Sequence, residues 1–566
     1  MKKKLKVSNR RRASKGRSTL EIHRLGPHPL IQHYLERLNV DRILDKHIHS
    51  NRTGIISHGK TISLLVHNIL VSRDPLYRLP EWTENLDSKA IGLSEEQKKA
   101  INDDRMGRSL EQLAEYGGRG VFFQLALRSI KLFNLETSRV HFDTTSITFS
   151  GNYKSSVRSP QIMHGFNKDH RPDLKQLVFG LNVTSDGAVP LSHEIFSGNQ
   201  TDDTLHKSNV DSLRDLLAKD DFIYVADGKL CTKENLKYIS EYGGKFVTVL
   251  PRTRKEDSDF RNKLRETTIR WRKILTVENS KSLNGIETYS TCVGPEKTED
   301  GFRIIWLKSS AKAVNDKETR EKKLEKVKAA LKDLDSRLNQ RKLKTRKQIQ
   351  TAVKELLKKY NCEAFLEVDL VSKIMTTYKR TRVGRPTVGD PKRKESNTLY
   401  ELKVKQKTVR LKQERKTDGV FPLITNLPSK KKALEILQIY RYQPYLERRF
   451  QNLKTEYTIA PMYLKSPKRI IGFLHACFIA LMVASLIERE IRLNMQKEDI
   501  DSIPIYPEKR DCKATTSPRI FELFEQVEWF QTFQGKRKTV FPVELTDLQY
   551  EVLKLCNVSG KVYDCD

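Results

Sequence analysis

The sequence predicts a multidomain α/β protein: a helical N-terminal domain, a mixed-sheet domain interrupted by an inserted domain, and a mostly helical C-terminal region. Residues 25–132 contain runs such as PLIQHYLERL and TISLLVHNILV, which have helical periodicity. Residues 140–251 contain short apolar runs such as VHFDTTSITF and FIYVAD between turn signals, which is typical of strands. Residues 254–416 form a long charged stretch, after which GVFPLITN resumes strand character.

These patterns divide the chain into six segments. They are a basic disordered arm (1–24), a helical domain (25–135), the first part of the sheet domain (136–253), an insertion domain of strands plus a helical hairpin (254–417), the second part of the sheet domain (418–495), and a C-terminal region (496–566). A helix predicted at 204–218 supplies a crossover before FIYVAD.

The charge balance indicates the kind of partner. Lys and Arg number 105 against 71 Asp and Glu, which leaves a net charge of +34. Because each neutralised phosphate releases condensed counterions, such a chain favours a nucleic acid partner. The alternative is a solvated basic protein of ribosomal or chromatin type. The basic start, MKKKLKVSNRRRASKGR, has no apolar core behind it, so we expect an arm along DNA phosphates rather than a signal peptide.

Cysteine usage and one apolar segment bear on the cellular compartment. The seven cysteines are scattered without a C-x-x-C pair, which argues against a zinc ribbon or a disulfide framework and favours a reducing cytoplasm. Segment 470–487 (IIGFLHACFIALMVASLI) is almost long enough to span a membrane. It contains His475 and lies between charged residues, so we predict a buried core helix and no membrane.

The predicted insertion contains a helical hairpin. Its first helix has an apolar seam with spacings of three and four, and its second helix supplies a returning stripe: Leu324, Val327, Leu331, Leu334 and Leu338, then Ile349, Val353, Leu356 and Tyr360. The chain continues through a very basic stretch, YKRTRVGRPTVGDPKRK, to strand-like LYELKVKQKTVRL.

Two aspartates occupy unusual places in predicted strands. Asp143 lies inside VHFDTTSITF, where an unpaired buried carboxylate is costly. Asp227 ends FIYVAD, a run typical of a strand buried on both faces, and ligand sites gather at the carboxyl ends of such strands. For each aspartate considered alone, a turn or a helix cap is the alternative.

A third acid lies on the predicted helix IYRYQPYLERRFQNLK. On an α-helical wheel Tyr440, Gln443, Glu447 and Lys454 fall within about 60° of one another, beside an apolar stripe. Pro444 predicts a helix start or a kink close by. Only Glu447 lies on the edge that adjoins the stripe. We therefore favour it over the other glutamates considered, Glu367, Glu435 and Glu456. The alternative interpretation is an ordinary amphipathic helix whose charged edge faces solvent.

Taken together, these residues resemble the DDE transposases of bacterial insertion sequences, in the subgroup with a Y-x2-R-x3-E-x6-K signature and an insertion before the Glu. Gln443 stands where the signature has Arg. Further stretches that resemble this subgroup are ISHGKTISLLVHNILV, NDDRMGRSLEQL, HGFNKDHRPDLKQLVFGLNV, FSGNQTDDT and DGVFPLITN. The resemblance implies a ribonuclease-H-like catalytic domain that cleaves DNA and transfers strands.

The resemblance also implies the site. Asp143, Asp227 and Glu447 would hold two Mg²⁺ or Mn²⁺ ions, since hard cations need oxygen ligands. Tyr440, Gln443, Lys454 and Arg448 would contact DNA, with Arg441 or Arg449 as alternatives to Arg448. The partners would be double-stranded DNA, at the element's terminal inverted repeats and the target, and a second copy of the chain. The location would be the bacterial nucleoid.

Several motifs have competing interpretations. Residues 54–61 (GIISHGKT) match a phosphate-binding loop, but the preceding residues are too polar for a strand, so we expect no nucleotide cofactor. Arg385, in VGRPT, is a candidate to enter the minor groove of DNA, and the alternative is that this stretch is a linker. Trp306 is a candidate for stacking on an unpaired base, and the alternative is that it is an ordinary aromatic residue of a strand. Asp169 and Asp173 fit a salt-bridged loop better than a metal site.

The rival function is a non-catalytic DNA-binding protein, such as a domesticated relative of a transposase. All three acids and Lys454 are present, which argues against a decayed site.

Overall fold

The computed structural model describes residues 19–48, 54–116, 118–153, 160–167, 171–279, 282, 285–340, 342–381, 392–457, 464–534 and 537–564. The chain divides into two compact units. The first unit comprises residues 1–247 and 438–566, and the second comprises residues 248–437. The exact limits of the inserted domain stay a prediction.

The strands are β1 Thr19–Arg24, β2 Arg139–Phe149, β3 Lys175–Thr184, β4 Pro190–Ser197, β5 Ile223–Val225, β6 Lys245–Val249, β7 Arg272–Glu278, β8 Ile286–Thr291, β9 Arg303–Ser309, β10 Leu366–Arg380, β11 Lys392–Gln406, β12 Val420–Thr425, β13 Glu528–Gln534 and β14 Arg537–Phe541.

The α-helices are α1 His28–Leu38, α2 Val40–His47, α3 His58–Val71, α4 Leu79–Glu84, α5 Glu95–Lys99, α6 Asp103–Tyr116, α7 Gly118–Phe133, α8 His206–Leu217, α9 Lys233–Glu241, α10 Lys255–Glu266, α11 Ser310–Ser336, α12 Arg346–Lys359, α13 Thr408–Arg415, α14 Ala433–Tyr440, α15 Gln443–Gln451, α16 Pro467–Lys497, α17 Ser517–Phe524 and α18 Asp547–Leu555.

The sheet of the first unit is mixed, as the sequence predicts. Its strand order is β4-β3-β2-β5-β6. β4, β3 and β2 pair antiparallel with one another, whereas β5 is parallel to β2 and β6 is parallel to β5. The predicted crossover helix is α8, which precedes β5. Nearly every residue of β3 is buried, which explains its continuous apolar run.

The apolar segment 470–487 lies within α16, a helix of 31 residues. Of its most apolar window of 18 residues, 89% is buried inside the protein. The helix packs against α3 and α6. The prediction of a core helix is therefore confirmed: the apolar run is covered by other helices of the same chain.

The predicted disordered arm is wrong for its last residues. Residues 19–24 form β1, which pairs antiparallel with β13 in a three-stranded sheet completed by β14. His23 stacks on Trp529 across this pair, with ring centroids 4.0 Å apart. The cause is the long-range partner strand, which no local pattern in the arm reveals. Residues 1–18 lie outside the described residues.

The second unit confirms the predicted helical hairpin. The apolar residues predicted for its seam and returning stripe all belong to, or pack against, one core between α11 and α12. In this unit the strands β12, β9, β8 and β7 are antiparallel neighbours in that order. One detail is corrected: LYELKVKQKTVRL is a strand only through Gln406, and TVRL begins α13.

The contact of α16 with α6 depends on a glycine. A β-carbon at Gly472 would clash with the backbone carbonyl of Leu110. We expect Gly472→Ala to lower the free energy of unfolding by about 1–3 kcal/mol, because one helix must move away from the other. At the control position, Gly54, the nearest atom to a new β-carbon is the carbonyl oxygen of Ile56, 3.4 Å away. In urea denaturation, equal stability of Gly472→Ala and Gly54→Ala would contradict this close packing.

Candidate active site

Asp143 lies in β2, and Asp227 lies two residues after the end of the neighbouring parallel strand β5. The register of β2 and β5 pairs Arg139 with Ile223 and His141 with Val225. Continued by two residues, the same register places Asp227 opposite Asp143. Both side chains are half-buried. Neighbouring strands are about 4.8 Å apart, so this register brings the two residues to the same edge of the sheet.

Asp227 also acts as a cap. Its Oδ1 accepts a hydrogen bond of 2.9 Å from the backbone N–H of Lys229 and begins a short 3₁₀ turn at Gly228–Leu230. The cap that the sequence offered as an alternative role is therefore present at Asp227. A cap and a metal ligand are compatible roles for a carboxylate, because each of its oxygens has two lone pairs.

The helix that carries Glu447 is not continuous, which corrects the single helical wheel. Tyr440 ends α14, α15 begins at Gln443, and a π-helical turn occupies Asn452–Glu456. Pro444 lies in the first turn of α15, where its missing N–H costs nothing, so the predicted start at this proline is confirmed. Glu447 and Lys454 are consequently on differently wound segments, and their common face does not follow from α-helical spacing.

Gln443 has a different role from the DNA contact that we predict. It is only 6% exposed. Its Nε2 donates to the carbonyl oxygen of Phe142 (3.1 Å), and its Oε1 lies 3.3 Å from Nδ1 of His141. Burial lowers the pKa of His141 to about 4, so the ring is neutral at physiological pH. Gln443 thus attaches the start of α15 to β2, beside Asp143.

The phenol of Tyr440 reports where the three acids converge. Burial raises the pKa of Tyr440, and the negative charges of Asp227, Glu447 and Asp143 raise it further. Burial likewise raises the pKa of Tyr224, with contributions from Asp227 and Asp143. The three carboxylates therefore share one electrostatic neighbourhood although they are far apart in sequence.

The described residues nevertheless include no group of three His, Cys, Asp or Glu side chains close enough to hold one metal ion. Glu447 is exposed, whereas the two aspartates are half-buried. Three carboxylates in one electrostatic neighbourhood repel one another in the absence of a cation, so a closed site would need bound ions. The donor type, carboxylate oxygen, fits Mg²⁺ and Mn²⁺.

The basic residues near Glu447 have distinct surroundings. Lys454 is half-buried on the π-helical turn, and Arg448 is exposed on α15. Arg449, an alternative phosphate contact, is only 2% exposed. Its guanidinium pairs with Glu488 at 2.7 Å and donates to the carbonyl oxygen of Gly187. The guanidinium of Arg449 is therefore bound inside the protein. Arg448, Arg441 and Lys454 remain the candidate phosphate contacts.

Trp306, a predicted DNA contact, is buried in the second unit. Trp306, in β9, borders an open cleft of about 1460 Å³ but is only 2% exposed. Its Nε1 donates to the carbonyl oxygen of Pro295, and its ring packs on Phe260. These contacts correct the base-stacking hypothesis and favour the ordinary strand aromatic. Arg385 lies outside the described residues, so its role stays a prediction.

The phosphate-loop match has a structural explanation. Ser57 caps α3 by accepting from the N–H of Lys60, and the N–H of Gly59 donates to Asp45 at 2.7 Å. The Lys60 ammonium donates to the carbonyl oxygen of Gly92 and to Gln97. Residues 57–60 thus form the capped start of α3, and the N–H of Gly59 and the ammonium of Lys60 are bound by other groups of the same chain.

The acids set aside from the sequence also have ordinary surroundings. Glu435 pairs with Lys431 at 3.0 Å. Asp173 forms an exposed ion pair with Arg171 at 2.7 Å, which favours the salt-bridged loop, and Asp169 lies outside the described residues. Glu367 lies in β10 and Glu456 on the π-helical turn.

Sequence reasoning missed one acid and one ion pair. Asp202 accepts a hydrogen bond of 2.7 Å from Oγ1 of Thr144, the neighbour of Asp143. Its signal was present in FSGNQTDDT, a stretch used only for resemblance. The buried pair of Arg449 and Glu488 had no local signal, because its members lie on different helices.

Comparisons with known proteins cover parts of the chain. Residues 20–127 match the model of a domain of unknown function, DUF4277, a family found in transposases. No curated protein matches the sequence. Among solved structures, the cryo-EM structure of a piggyBac transposase synaptic complex with hairpin DNA is 12% identical. The match covers 52% of this chain and 63% of that chain with a TM-score of 0.27, so it carries no argument about fold or function.

The ion pair that positions α15 generates a prediction. Burial alone would raise the pKa of Glu488, but the charges of Arg449 and Arg492 and the N–H of Ser517 lower it overall. Because the folded state binds this proton less tightly than the unfolded state, the stabilisation is present above the ordinary pKa of 4.5 and is lost as the pH falls through the lowered pKa.

We therefore expect Glu488→Gln to reduce the free energy of unfolding at pH 7 by about 3–5 kcal/mol, the usual effect of breaking a buried pair. The loss should shrink as the pH falls below 4.5. The control is Glu498→Gln, which removes an exposed pair with Lys554 and should cost under about 1 kcal/mol. Urea denaturation between pH 7 and pH 3 measures both, and a constant difference across this range would refute the assignment.

Proposed function

We propose that the chain is a DNA transposase of insertion-sequence type, in which Asp143, Asp227 and Glu447 form the catalytic triad for DNA cleavage and strand transfer. The observation that supports the proposal is the placement of Asp143 in β2 and of Asp227 two residues after its parallel neighbour β5, with Glu447 close enough for its charge to act on the same phenol, Tyr440. The mixed sheet with β2 at its centre supports a ribonuclease-H-like core. The net charge of +34 supports a DNA substrate.

The triad would hold two Mg²⁺ or Mn²⁺ ions. When bound, such ions supply an activated oxygen nucleophile and stabilise the leaving oxygen of a phosphodiester. The protein's part is to bring oxygen ligands from β2, from the end of β5 and from α15 to one place. Gln443 holds α15 against β2, and Arg449 holds the same helix against α16, so the position of Glu447 depends on both contacts.

The remaining side chains would bind and orient DNA. The pKa of Tyr440 is raised, so the phenol keeps its proton and can donate a hydrogen bond to a phosphate oxygen. Lys454 and Arg448 supply positive charge for phosphates beside the triad. The substrates would be the terminal inverted repeats of the element and the target DNA, bound by a homodimer in the bacterial nucleoid.

The test of the triad uses Asp143→Asn, Asp227→Asn and Glu447→Gln, which preserve shape and remove charge. We expect each variant to lose Mg²⁺-dependent cleavage by several orders of magnitude, because each loses a metal ligand. Binding of duplex DNA should persist, since phosphate contacts come from Lys and Arg. The measurement is cleavage of a duplex carrying the DNA that flanks the gene, with anisotropy for binding. Glu435→Gln and Glu456→Gln are matched controls.

A second readout does not depend on activity. Mn²⁺ should raise the unfolding temperature of the wild type and of both controls, but not that of the triad variants, since only a protein with the complete site binds the ions. Normal cleavage by a triad variant would overturn the site. DNA binding by the wild type without cleavage and without stabilisation by metal would favour the non-catalytic DNA-binding alternative.

A further inference from the structure

The second unit carries a long two-stranded ribbon. β10 and β11 are each 15 residues long and pair antiparallel from end to end. At the usual rise per residue the ribbon is about 50 Å long. Among the described strands, neither one pairs with any other strand. An isolated two-stranded hairpin is marginally stable in water, so the ribbon needs support along its length.

The base of the ribbon has that support. Leu366 and Leu402 belong to the core formed with α11 and α12. Asp335 accepts from the N–H of Leu402, and Asn339 accepts from the N–H of Tyr400, each at 2.7 Å. The first half of the ribbon is therefore fixed to the helical hairpin.

The outer half is exposed on both faces. Ile374 is 76% exposed, Tyr378 is 64% exposed and Met375 is 54% exposed. Water covers these large side chains in the isolated chain, although apolar and aromatic groups of this size normally seek a partner. The outer half is thus a surface built for contact with another molecule.

The two faces of the outer half differ in chemistry. In an antiparallel pair, residues opposite each other share a face and alternate along the strand. One face, here the hydroxyl face, consists of Ser372, Ile374, Thr376 and Tyr378 with Lys392, Lys394, Ser396 and Thr398. None of the residues just named carries a carboxylate. This face continues the side that packs on α11 and α12 at the base.

The opposite face, here the carboxylate face, pairs its outer lysines with glutamates. Lys373 pairs with Glu401 at 3.2 Å, and Lys379 pairs with Glu395 at 2.8 Å. With Arg393, this face carries three cations against two carboxylates, whereas the hydroxyl face carries Lys392 and Lys394 and no carboxylate. The hydroxyl face therefore has the larger excess of positive charge, and Lys394 lies there directly opposite Tyr378. Ammonium groups attract a polyanion, and hydroxyl and aromatic groups can contact its hydrogen-bonding and apolar groups. The hydroxyl face therefore suits a polyanion that also presents such groups.

We propose that the outer half of this ribbon lies in the major groove of duplex DNA with its hydroxyl face toward the bases. This inference rests on the proposed function in taking DNA as the substrate, and it adds a binding element distinct from the triad. The major groove, about 12 Å wide, admits a two-stranded ribbon. Ser, Thr and Tyr donate to phosphates and base edges, and apolar groups contact thymine methyls. A second copy of the chain fits less well, because pairing two such faces brings ammonium groups together.

The test compares two double variants of the full chain. Tyr378→Ala with Lys394→Ala changes the hydroxyl face, and Met375→Ala with Lys379→Ala changes the carboxylate face. Each removes one positive charge and one large exposed side chain, and neither should alter thermal unfolding. The probe is a fluorescent 40-base-pair duplex of mixed sequence, and the measurement is anisotropy from about 50 to 200 mM salt, where phosphate contacts dominate.

We expect the hydroxyl-face variant to bind about tenfold more weakly and its log–log salt slope to fall by about 0.9, the loss of one phosphate contact. The control should bind within about twofold of the wild type. Glucosylated hydroxymethylcytosine, which fills the major groove, should weaken binding by the wild type and the control but change binding by the hydroxyl-face variant little.

The outcomes separate the two proposals. If the wild type binds the duplex and both double variants bind it equally well, the ribbon inference is wrong and the proposed function stands. If the wild type binds no duplex DNA, the proposed function fails first. Loss of a dimer in sedimentation by the hydroxyl-face variant, with DNA binding unchanged, would assign the ribbon to a second copy and overturn the inference.

Discussion

Three consecutive charges on one buried helix hold the first unit together. Residues 488–490 of α16 are all less than a tenth exposed. Glu488 pairs with Arg449 of α15, Arg489 pairs with Asp186 in the turn between β3 and β4, and Glu490 accepts from Tyr34 and Arg37 of α1. A buried charge is costly unless it is paired, so the three contacts are required together. They connect the N-terminal helices, the sheet and the helix of Glu447 to one core helix.

This constraint explains how the short helix that carries Glu447 is held in place. Glu447 is exposed and belongs to a helix of only nine residues. Such a short helix has little stability of its own, so its position comes from tertiary contacts. Gln443 supplies one contact at its start and Arg449 supplies another two residues after Glu447. An uncharged amide suits the first contact, because it meets a neutral imidazole and a backbone carbonyl inside the protein.

The two units use basic residues in different ways. In the first unit, the guanidinium of Arg449 is buried in an ion pair with Glu488, whereas Arg448 lies on the exposed side of α15 and Lys454 is half-buried on the π-helical turn. On the ribbon of the second unit, one face neutralises its lysines internally and the other does not. A net charge of +34 is therefore not spread evenly as a solvating layer. Local ion pairing directs it toward particular surfaces.

The sequence by itself determined the elements whose signals are local. Short apolar runs between turn signals predicted β2, which carries Asp143, and β5, which Asp227 follows. A heptad seam predicted the pairing of α11 with α12, and an apolar run with flanking charges predicted the buried α16. Pro444 marked the start of α15, because a proline fits only the first turn of a helix.

Only the tertiary structure decided the contacts made across long sequence distances. It paired residues 19–24 with β13, gave Gln443 partners on β2, and buried both Arg449 and Trp306. It also showed that Tyr440, Glu447 and Lys454 do not belong to one continuous α-helix, so a single helical wheel does not describe them. The physical reason is that a pattern along the chain records which side of an element is apolar. The partner that covers a polar group is set by packing with residues hundreds of positions away.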